Sequence, residues 1–347
     1  MEDALRNRAD ARLLFVSRDG SIRREPRANF AMLARAGDLV IANDAATLPA
    51  SLKGRHVATG REIEVRLAAR VWRDGEASAK FQAIVFGEGD FRSTTERRAA
   101  PPELTAGDAL ALGPLNAVVT RILDHPRFIE IELLGTPLTI REGLARHGRP
   151  VQYAHVAQPL ALWDVWTSIA GPPVAFEAPS AGFILDWAVL ARLKARGVHF
   201  ATLTHAAGLS STGDRALDAR FPLDERYFIA ESTASAIADA RARGGRIVAI
   251  GTSVVRALEH SAAAFDGGVR AGGGVATQRI GAKTSLRVVD AIVTGVHEPG
   301  DSHFELLRAF AGASTLDAVR QDALAGGFRG HEFGDWIFME RAADRAA

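Results

Sequence analysis

A change of pattern in the middle of the chain constrains the fold most. Between residues 56 and 150 the apolar residues fall in short alternating or β-branched runs, separated by turn residues and without a long helical period. These runs are Glu62–Ala68, Lys80–Val85, Ala109–Leu112, Asn116–Leu123, Arg127–Leu133 and Pro137–Ile140. Such spacing predicts a small antiparallel β-barrel or sandwich inserted into a larger domain.

The flanking regions have the alternating pattern of an α/β domain. Residues 12–55 predict a strand, a helix that ends at Gly37, and a second strand, over Arg12–Ser17, Asn29–Ala36 and Asp38–Ala42. From residue 151, predicted helices alternate with predicted strands; the helices are Leu185–Arg196, Thr233–Arg243, Ser253–Phe265 and Ser302–Phe310, and the strands are Val198–Leu203, Arg246–Ile250 and Val288–Val293. We therefore expect one α/β domain with a parallel sheet, formed by residues 1–55 and 151–347, and an inserted β-barrel at 56–150.

Two helix starts carry capping signals. Ser232 precedes the predicted helix Thr233–Arg243 and is expected to be its N-cap. Ser302 and Glu305 have the spacing of a capping box, in which each side chain would accept a hydrogen bond from a free backbone N–H.

Composition narrows the function classes. The 347 residues include no cysteine, which excludes a disulfide framework, thiolate catalysis, cysteine-ligated zinc and iron–sulfur clusters. Apolar runs of membrane-spanning length are absent and the N-terminus is charged, so we expect a cytoplasmic protein that does not bind membranes. Oligomeric state does not follow from the sequence.

Charge gives weak support for a nucleic-acid partner. The net charge is +1, from 42 basic and 41 acidic residues, and phosphate-binding proteins usually carry a larger excess or a segregated basic face. Six arginines could form a local patch: Arg92, Arg97, Arg98, Arg141, Arg146 and Arg149. An ordinary solvated surface is favoured over a nucleic-acid footprint.

Polar residues follow four of the predicted strands, where parallel α/β sheets bind ligands. Asn43-Asp44 could bind a ligand, although an Asx turn is favoured. Thr204, His205 and Gly208 follow the next strand, and His205 is equally consistent with acid–base chemistry and with a structural role.

The third segment, Gly251-Thr252-Ser253, lies between a strand and a helix. Its N–H groups favour an anion that Arg256 could clamp, with Glu259 one turn further; this reading is favoured over plain capping. The fourth segment carries His297 and Glu298, and substrate contact or a capping loop explain it equally well.

Several well-known motifs are incomplete or missing. Ala282 stands between Gly281 and Lys283, which breaks a phosphate-loop pattern. No Gly-x-Gly-x-x-Gly follows a predicted strand, and neither His-Glu-x-x-His nor Gly-x-Ser-x-Gly occurs. Classical nucleotide hydrolase, zinc hydrolase and serine hydrolase functions are therefore weakly supported.

A set of short matches along nearly the whole chain resembles one family. They are Gly37-Asp38-Leu39-Val40 with Asn43 and Pro49-Ala50, Ala178-Pro179-Ser180-Ala181-Gly182, Thr202-Leu203 with Gly208, Val248–Thr252 with Val255-Arg256 and Leu258-Glu259, Val288–Ala291 with Val293-Thr294, His297 and Pro299, Ala309–Gly312, and Phe333-Gly334-Asp335. In order and spacing they resemble the S-adenosylmethionine:tRNA ribosyltransferase-isomerases of queuosine biosynthesis.

The resemblance implies a fold and a reaction. It implies a larger, barrel-like α/β domain with an inserted small antiparallel β-barrel. It also implies that S-adenosylmethionine donates its ribosyl part to a 7-aminomethyl-7-deazaguanine base in tRNA. Adenine and methionine would leave as epoxyqueuosine forms, with no cofactor beyond S-adenosylmethionine and no metal.

The resemblance also suggests site residues. His205, His297 and Asp335 are expected to transfer or position protons. The expected substrate-binding residues lie in the matched segments and are Asn43, Asp44, Ser180, Gly182, Thr204, Gly208, Thr252, Ser253, Arg256 and Glu259.

Departures from the family pattern fall in the presumed site loops. Asp44-Ala45-Ala46 replaces Asn-Thr-Arg, Ile184 replaces a histidine, and His205 lies one place later than the family histidine. The segment Arg220–Glu225 keeps only the last glutamate of a histidine-rich stretch. Two alternatives therefore stand beside the family reaction: an enzyme that uses S-adenosylmethionine with a small acceptor, and a non-catalytic tRNA- or ligand-binding paralogue.

Overall fold

A computed structural model of the protein describes residues 10–73, 76–330 and 333–345. Its strands are β1 Arg12–Val16, β2 Ile22–Pro26, β3 Leu39–Asn43, β4 Ala46–Thr47, β5 Ser51–His56, β6 Glu62–Arg73, β7 Glu76–Phe86, β8 Ala109–Leu112, β9 Leu115–His125, β10 Phe128–Leu133, β11 Pro173–Ala175, β12 His199–His205, β13 Glu225–Ile229, β14 Ile247–Ile250, β15 Gly272–Ala276, β16 Ala291–Gly295 and β17 Trp336–Glu340. Its α-helices are α1 Phe30–Leu33, α2 Pro137–His147, α3 Leu162–Val165, α4 Trp187–Ala195, α5 Arg215–Asp218, α6 Glu231–Ala242, α7 Thr252–Ala264, α8 Ser302–Leu307 and α9 Ala313–Ala325.

The inserted region is a closed barrel in the order β10-β7-β6-β5-β8-β9, with neighbouring strands antiparallel. Alternation along β9 shows which face is turned to the interior: Leu115, Ala117 and Val119 are buried in the barrel core, while Asn116 is exposed. The barrel strands run from Ser51 to Leu133, and the domain limits at 55/56 and 150/151 stay predictions.

One predicted barrel strand is wrong. Residues Pro137–Ile140 begin helix α2, because Pro137 fits the first turn of a helix and Thr136 caps it by accepting the N–H of Thr139 at 3.2 Å. The helix packs on the barrel through Leu144 and Ile140. An apolar run of four residues does not distinguish a strand from a helical turn.

The larger domain is built on a nine-stranded sheet in the order β15-β13-β12-β3-β14-β16-β17-β1-β2. Strands β12, β3, β14 and β16 are mutually parallel, as predicted, but β13, β15, β17 and β2 each have an antiparallel neighbour, so the sheet is mixed. The α/β class with an inserted barrel is confirmed. Within the described residues β15 and β2 are edge strands, so this sheet is open where a barrel-like form was expected.

Apolar cores cover both faces of the sheet. Every residue of β3 is buried: Leu39 and Ile41 join one core, and Val40 and Ala42 join the other. A strand buried on both faces reads as a continuous apolar run, which is the reason that β3 was visible in the sequence. Helix α7 packs on the first face and α4 on the second.

Three element starts differ from the predictions. Ser232 lies inside α6, whose N-cap is Ala230, and Ser302 is the first residue of α8, whose N-cap Asp301 makes no side-chain capping bond. Strand β16 begins at Ala291 instead of Val288, because the N–H groups of Val288 and Val289 are both bonded to the Glu259 carboxylate. In the described part of the chain, no helix is long and apolar enough to cross a membrane.

Candidate active site

A cleft of about 690 Å³ lies at the carboxyl ends of β12, β14 and β16. Loop residues that follow these strands line it, and the barrel contributes Thr94, Thr95 and Glu96 to the opposite wall. Its volume is in the usual range for small-molecule sites, and its lining mixes polar and apolar groups.

The N-terminus of α7 faces this cleft. Gly251 turns the chain from β14 into the helix with φ +96°, a conformation that favours glycine. Thr252 and Ser253 follow and line the cleft. The free N–H groups of the first helical turn create a partial positive charge there, which favours a carboxylate or another anion.

A buried charged cluster forms part of the cleft wall. Glu225, the first residue of β13, is only 8% exposed in its side chain, and its Oε1 accepts the N–H of Gly208 at 2.5 Å. Its Oε2 pairs with Nη1 of Arg256, and Nη2 of Arg256 donates to the carbonyl oxygens of Leu223 and Ala276. Arg256 is therefore already paired with Glu225 and with two backbone carbonyl oxygens, and the anion clamp predicted for it stays a prediction.

His205 lies directly behind this cluster. Its Nε2 is 3.6 Å from Oε2 of Glu225, its side chain is fully buried, and neither ring nitrogen has a hydrogen-bond partner within the described structure. Burial and, to a smaller extent, the charge of Arg256 lower the pKa of His205 to about 3. The imidazole is therefore neutral at physiological pH.

Burial acts on Glu225 in the opposite sense. It raises the pKa of the Glu225 carboxyl group, aided by the negative charge of Asp224 and opposed by Arg256 and by the Gly208 N–H. The carboxylate is consequently a stronger base than an exposed glutamate. A perturbed acid that lines a cleft is a candidate functional group.

The remaining polar wall contains a tyrosine, a glutamate and a histidine. The hydroxyl of Tyr153 contacts the Glu177 carboxylate and lies 2.9 Å from the carbonyl oxygen of Ser211. His297 is 2.9 Å from the Thr294 hydroxyl through Nε2, and its ring centroid lies 4.7 Å from that of His303. All of these residues line the cleft.

The structure brings together six of the predicted site residues. The residues that line the cleft are Ser180, Gly208, Thr252, Ser253, Arg256 and His297. Gly208 has a geometric reason to be glycine, because a Cβ there would lie 2.9 Å from the carbonyl oxygen of Ala68 and 3.1 Å from Oε1 of Glu225.

Four other predicted residues do not line the cleft and instead hold β3 against β12. Asn43 donates to the carbonyl oxygen of His205 at 2.9 Å and accepts the His205 N–H at 2.9 Å. Asp44 accepts the hydroxyls of Thr202 and Thr204 at 2.8 and 2.6 Å. These bonds fix the ends of the two strands, and direct ligand contacts by these residues stay predictions.

Gly182, Glu259 and Asp335 also lie outside the cleft lining. Gly182 lies in the same 3-10 helix as Ser180, and a Cβ on Gly182 would lie 3.0 Å from Cγ2 of Thr167. Glu259 accepts three backbone N–H groups before β16, and Asp335 accepts the N–H and guanidinium of Arg12 at 2.8 and 2.9 Å. The proton-transfer role predicted for Asp335 gains no support from these contacts.

Sequence reasoning missed Tyr153 and Glu177, and it noted Glu225 only as a retained family glutamate. Tyr153 and Glu177 lie outside the segments that follow predicted strands, and tertiary folding places them on the cleft wall. None of the six arginines of the predicted local patch is among the described cleft residues, and Arg98 is buried in the barrel at 4% exposure.

An α/β sheet with an inserted antiparallel barrel and a polar cleft between them defines the class of protein. The chain belongs to the queuosine biosynthesis protein family, whose model matches residues 2–339. This membership confirms the resemblance seen in the sequence.

Individual relatives agree with this membership. An S-adenosylmethionine:tRNA ribosyltransferase-isomerase from Sorangium cellulosum is 34% identical, over 96% of this chain and 92% of its own length. An enzyme of the same name from Thiobacillus denitrificans is 31% identical, over 97% and 92%. A crystal structure of S-adenosylmethionine tRNA ribosyltransferase from Thermotoga maritima aligns with a TM-score of 0.50 and 21% identity, over 97% of this chain and 95% of that one. The two chains therefore share a fold.

Proposed function

We propose that this protein is an S-adenosylmethionine:tRNA ribosyltransferase-isomerase. It transfers the ribosyl part of S-adenosylmethionine to the 7-aminomethyl-7-deazaguanine base of tRNA and rearranges it to the epoxycyclopentanediol of epoxyqueuosine. Adenine and methionine are released. Several relatives that align over most of the chain bear this enzyme name, which supports the family reaction over a small acceptor or a non-catalytic role.

The observation that carries the proposal is the cleft itself. It is large enough for S-adenosylmethionine, and the N-terminus of α7 supplies N–H groups to its floor at Thr252 and Ser253. We assign this helix end to the carboxylate of the methionine part, because a helix N-terminus stabilises a negative charge. Such positioning contributes to rate by holding the reacting atoms together.

The substrate carries its own activation. A sulfonium withdraws electrons from the ribose C5′, which makes that carbon electrophilic and its C–H bonds more acidic. The protein therefore has to orient the ribose and the acceptor amine and to move protons, and the cleft supplies Glu225, Tyr153, Glu177 and His297 for these tasks. Since tRNA is the acceptor, we place the reaction in the cytoplasm.

Mass spectrometry of a reaction mixture tests the proposal. Purified protein is incubated with S-adenosylmethionine, with and without tRNA that carries the deazaguanine base. We expect adenine, methionine and epoxyqueuosine-containing tRNA only when that tRNA is present. Release of adenine and methionine without a tRNA product would indicate a different acceptor, and no release beside an active family enzyme would reject the proposal.

A further inference from the structure

Glu225 is a buried carboxylate on the cleft wall. Oε1 accepts one backbone N–H, from Gly208, and Oε2 faces Arg256 and the neutral ring of His205. These neighbours come from two segments, the end of β12 with the loop after it and helix α7, so two distant parts of the chain hold the carboxylate in position. A catalytic group held in this way loses little entropy when it reacts.

The surroundings of Glu225 also suit proton transfer. Gly208 has no side chain, and any Cβ there would crowd Oε1, so the absence of one keeps space beside the carboxylate. Burial raises the pKa of Glu225, against the opposing effects of Arg256 and the Gly208 N–H. General bases work best when their pKa lies nearer the working pH than that of a free carboxylate.

His297 is one of the groups in the cleft that compete with Glu225 for the role of base. Its Nε2 lies 2.9 Å from the Thr294 hydroxyl in β16, and its ring lies 4.7 Å from that of His303 in α8, at an angle of 46°, so neighbouring elements already hold it. His205 competes less, because it is fully buried behind Glu225 and does not line the cleft.

We propose that Glu225 is the catalytic base that removes a proton from C5′ of bound S-adenosylmethionine. The C5′–H bond breaks, its electron pair stays on the carbon next to the sulfonium as an ylide, and the proton moves to the Glu225 carboxylate. The resulting carboxylic acid returns a proton to a leaving group or to solvent later in the cycle. Arg256 acts as the positioning residue that holds Oε2, and the neutral ring of His205 packs beside it. This assignment rests on the proposed function.

Single-turnover kinetics of Glu225→Gln test the assignment. The amide keeps the shape of the side chain and accepts the Gly208 N–H but does not remove a proton. We expect the rate of adenine release with acceptor tRNA to fall by about 10²- to 10⁴-fold, the usual contribution of a general base. The dissociation constant for S-adenosylmethionine should stay within about threefold of wild type, because the base acts on the reacting bond and adds little to ground-state binding.

Two further variants protect the test against misfolding. Glu225→Asp keeps a carboxylate and should recover at least about tenfold of the lost rate. The double variant Glu225→Gln/Arg256→Gln removes the buried arginine left without its counter-charge, and it should fold like wild type while staying as slow as Glu225→Gln. Glu130→Gln, at a buried glutamate in the barrel that pairs with Thr120 and Arg121, is the matched control and should keep the wild-type rate.

Separate outcomes overturn separate claims. A Glu225→Gln protein that reacts within about threefold of wild type, or loses only affinity for S-adenosylmethionine, would overturn the assignment and leave the proposed function intact. The same holds if His297→Gln shows the large rate loss instead. A wild-type protein that does not turn over at all would overturn the proposed function and the assignment with it.

Discussion

Two buried glutamate–arginine clusters, one in the barrel and one in the cleft, contrast sharply. In the barrel, Glu64 accepts Arg66 Nε at 2.6 Å, Arg98 Nη1 at 2.6 Å and the Ser51 hydroxyl at 2.9 Å. In the cleft, Glu225 has a single arginine and a backbone N–H. Both carboxylates are buried, but only one is surrounded by enough positive charge to offset the loss of hydration.

The pKa directions follow from this difference. Burial raises the pKa of Glu64, but the charges and hydrogen bonds of Arg66 and Arg98 outweigh it, and the net pKa lies below the ordinary value. At Glu225 burial prevails and the pKa is raised. Two arginines thus stabilise the charged form, whereas one leaves a carboxylate that binds a proton more readily.

The two clusters should affect stability with opposite pH dependence. The stabilisation from Glu64 is present above its unfolded pKa and is lost as pH falls through its lower folded pKa. For Glu225 the stabilisation is present below the unfolded pKa and is lost as pH rises through the higher folded value. At a pH above both folded pKa values, Glu64 therefore stabilises the folded state relative to a free glutamate, whereas Glu225 does not.

Glu64→Gln should have the largest effect. It leaves Arg66 and Arg98 buried without a counter-charge, so we expect the free energy of unfolding to fall by about 3–5 kcal/mol. Urea denaturation at pH 7.5 measures this loss, and the rate of adenine release below the unfolding transition should stay at the wild-type value. A stable but inactive Glu64→Gln protein would break the comparison, since it would place the barrel cluster in the chemistry.

Gly208→Ala should have an intermediate effect. The new Cβ would lie 2.9 Å from the carbonyl oxygen of Ala68 and 3.1 Å from Oε1 of Glu225, so one of them must move. We expect a loss of about 1–3 kcal/mol in the free energy of unfolding. The rate should fall further, by up to about 100-fold, because the carboxylate is misplaced.

Calorimetry and the single-turnover assay, run on the same sample, measure both effects. Gly312→Ala is a suitable control, because nothing lies within 4 Å of a Cβ at that position. If Gly208→Ala lowered the free energy of unfolding and left the rate of adenine release unchanged, the exact position of the Glu225 carboxylate would not matter for the reaction. The cleft cluster would then differ from the barrel cluster in pKa but not in function.

His205→Leu should have the smallest effect at neutral pH. The imidazole is buried and makes no hydrogen bond in the described structure, so an apolar side chain of similar volume should change the free energy of unfolding by less than about 1 kcal/mol.

At acid pH the free energy of unfolding of His205→Leu should differ from that of wild type. The pKa of His205 is lowered from 6.5 to about 3, so the unfolded chain binds a proton that the folded chain refuses, and wild type loses stability as pH falls between these values. His205→Leu should lose up to about 1.4 kcal/mol less per pH unit in that window. Equal slopes for the two proteins in denaturation series would show that His205 is protonated in the fold.

Local pattern predicted much of the fold. The barrel strands are predictable because strands such as β8 and β9 alternate between buried and more exposed residues, and the central strand β3 is predictable as a continuous apolar run. Errors came where tertiary contacts override local preference. The short run of residues 137–140 fits a strand or a helical turn equally well, and it forms the start of α2. The pattern also predicts a strand at Val288, but the N–H of Val288 donates to the Glu259 carboxylate and not to a neighbouring strand.

The site was predicted less completely. Strand-end loops led to Ser180, Thr252, Ser253 and His297, which do line the cleft. The same rule also selected Asn43 and Asp44, whose side chains bind neighbouring strands, because a polar residue at a strand end serves either purpose and only its partners distinguish them.

By itself, the sequence determined the α/β class, the inserted barrel and the family, since these depend on periodicity and on the order of short motifs along the chain. Only the tertiary structure decided which charges are paired. Glu64 and Glu225 look alike as letters, and each lies within three residues of another charged residue. The free energy of a buried carboxylate depends on the partners that folding brings within about 4 Å, and those come from distant segments.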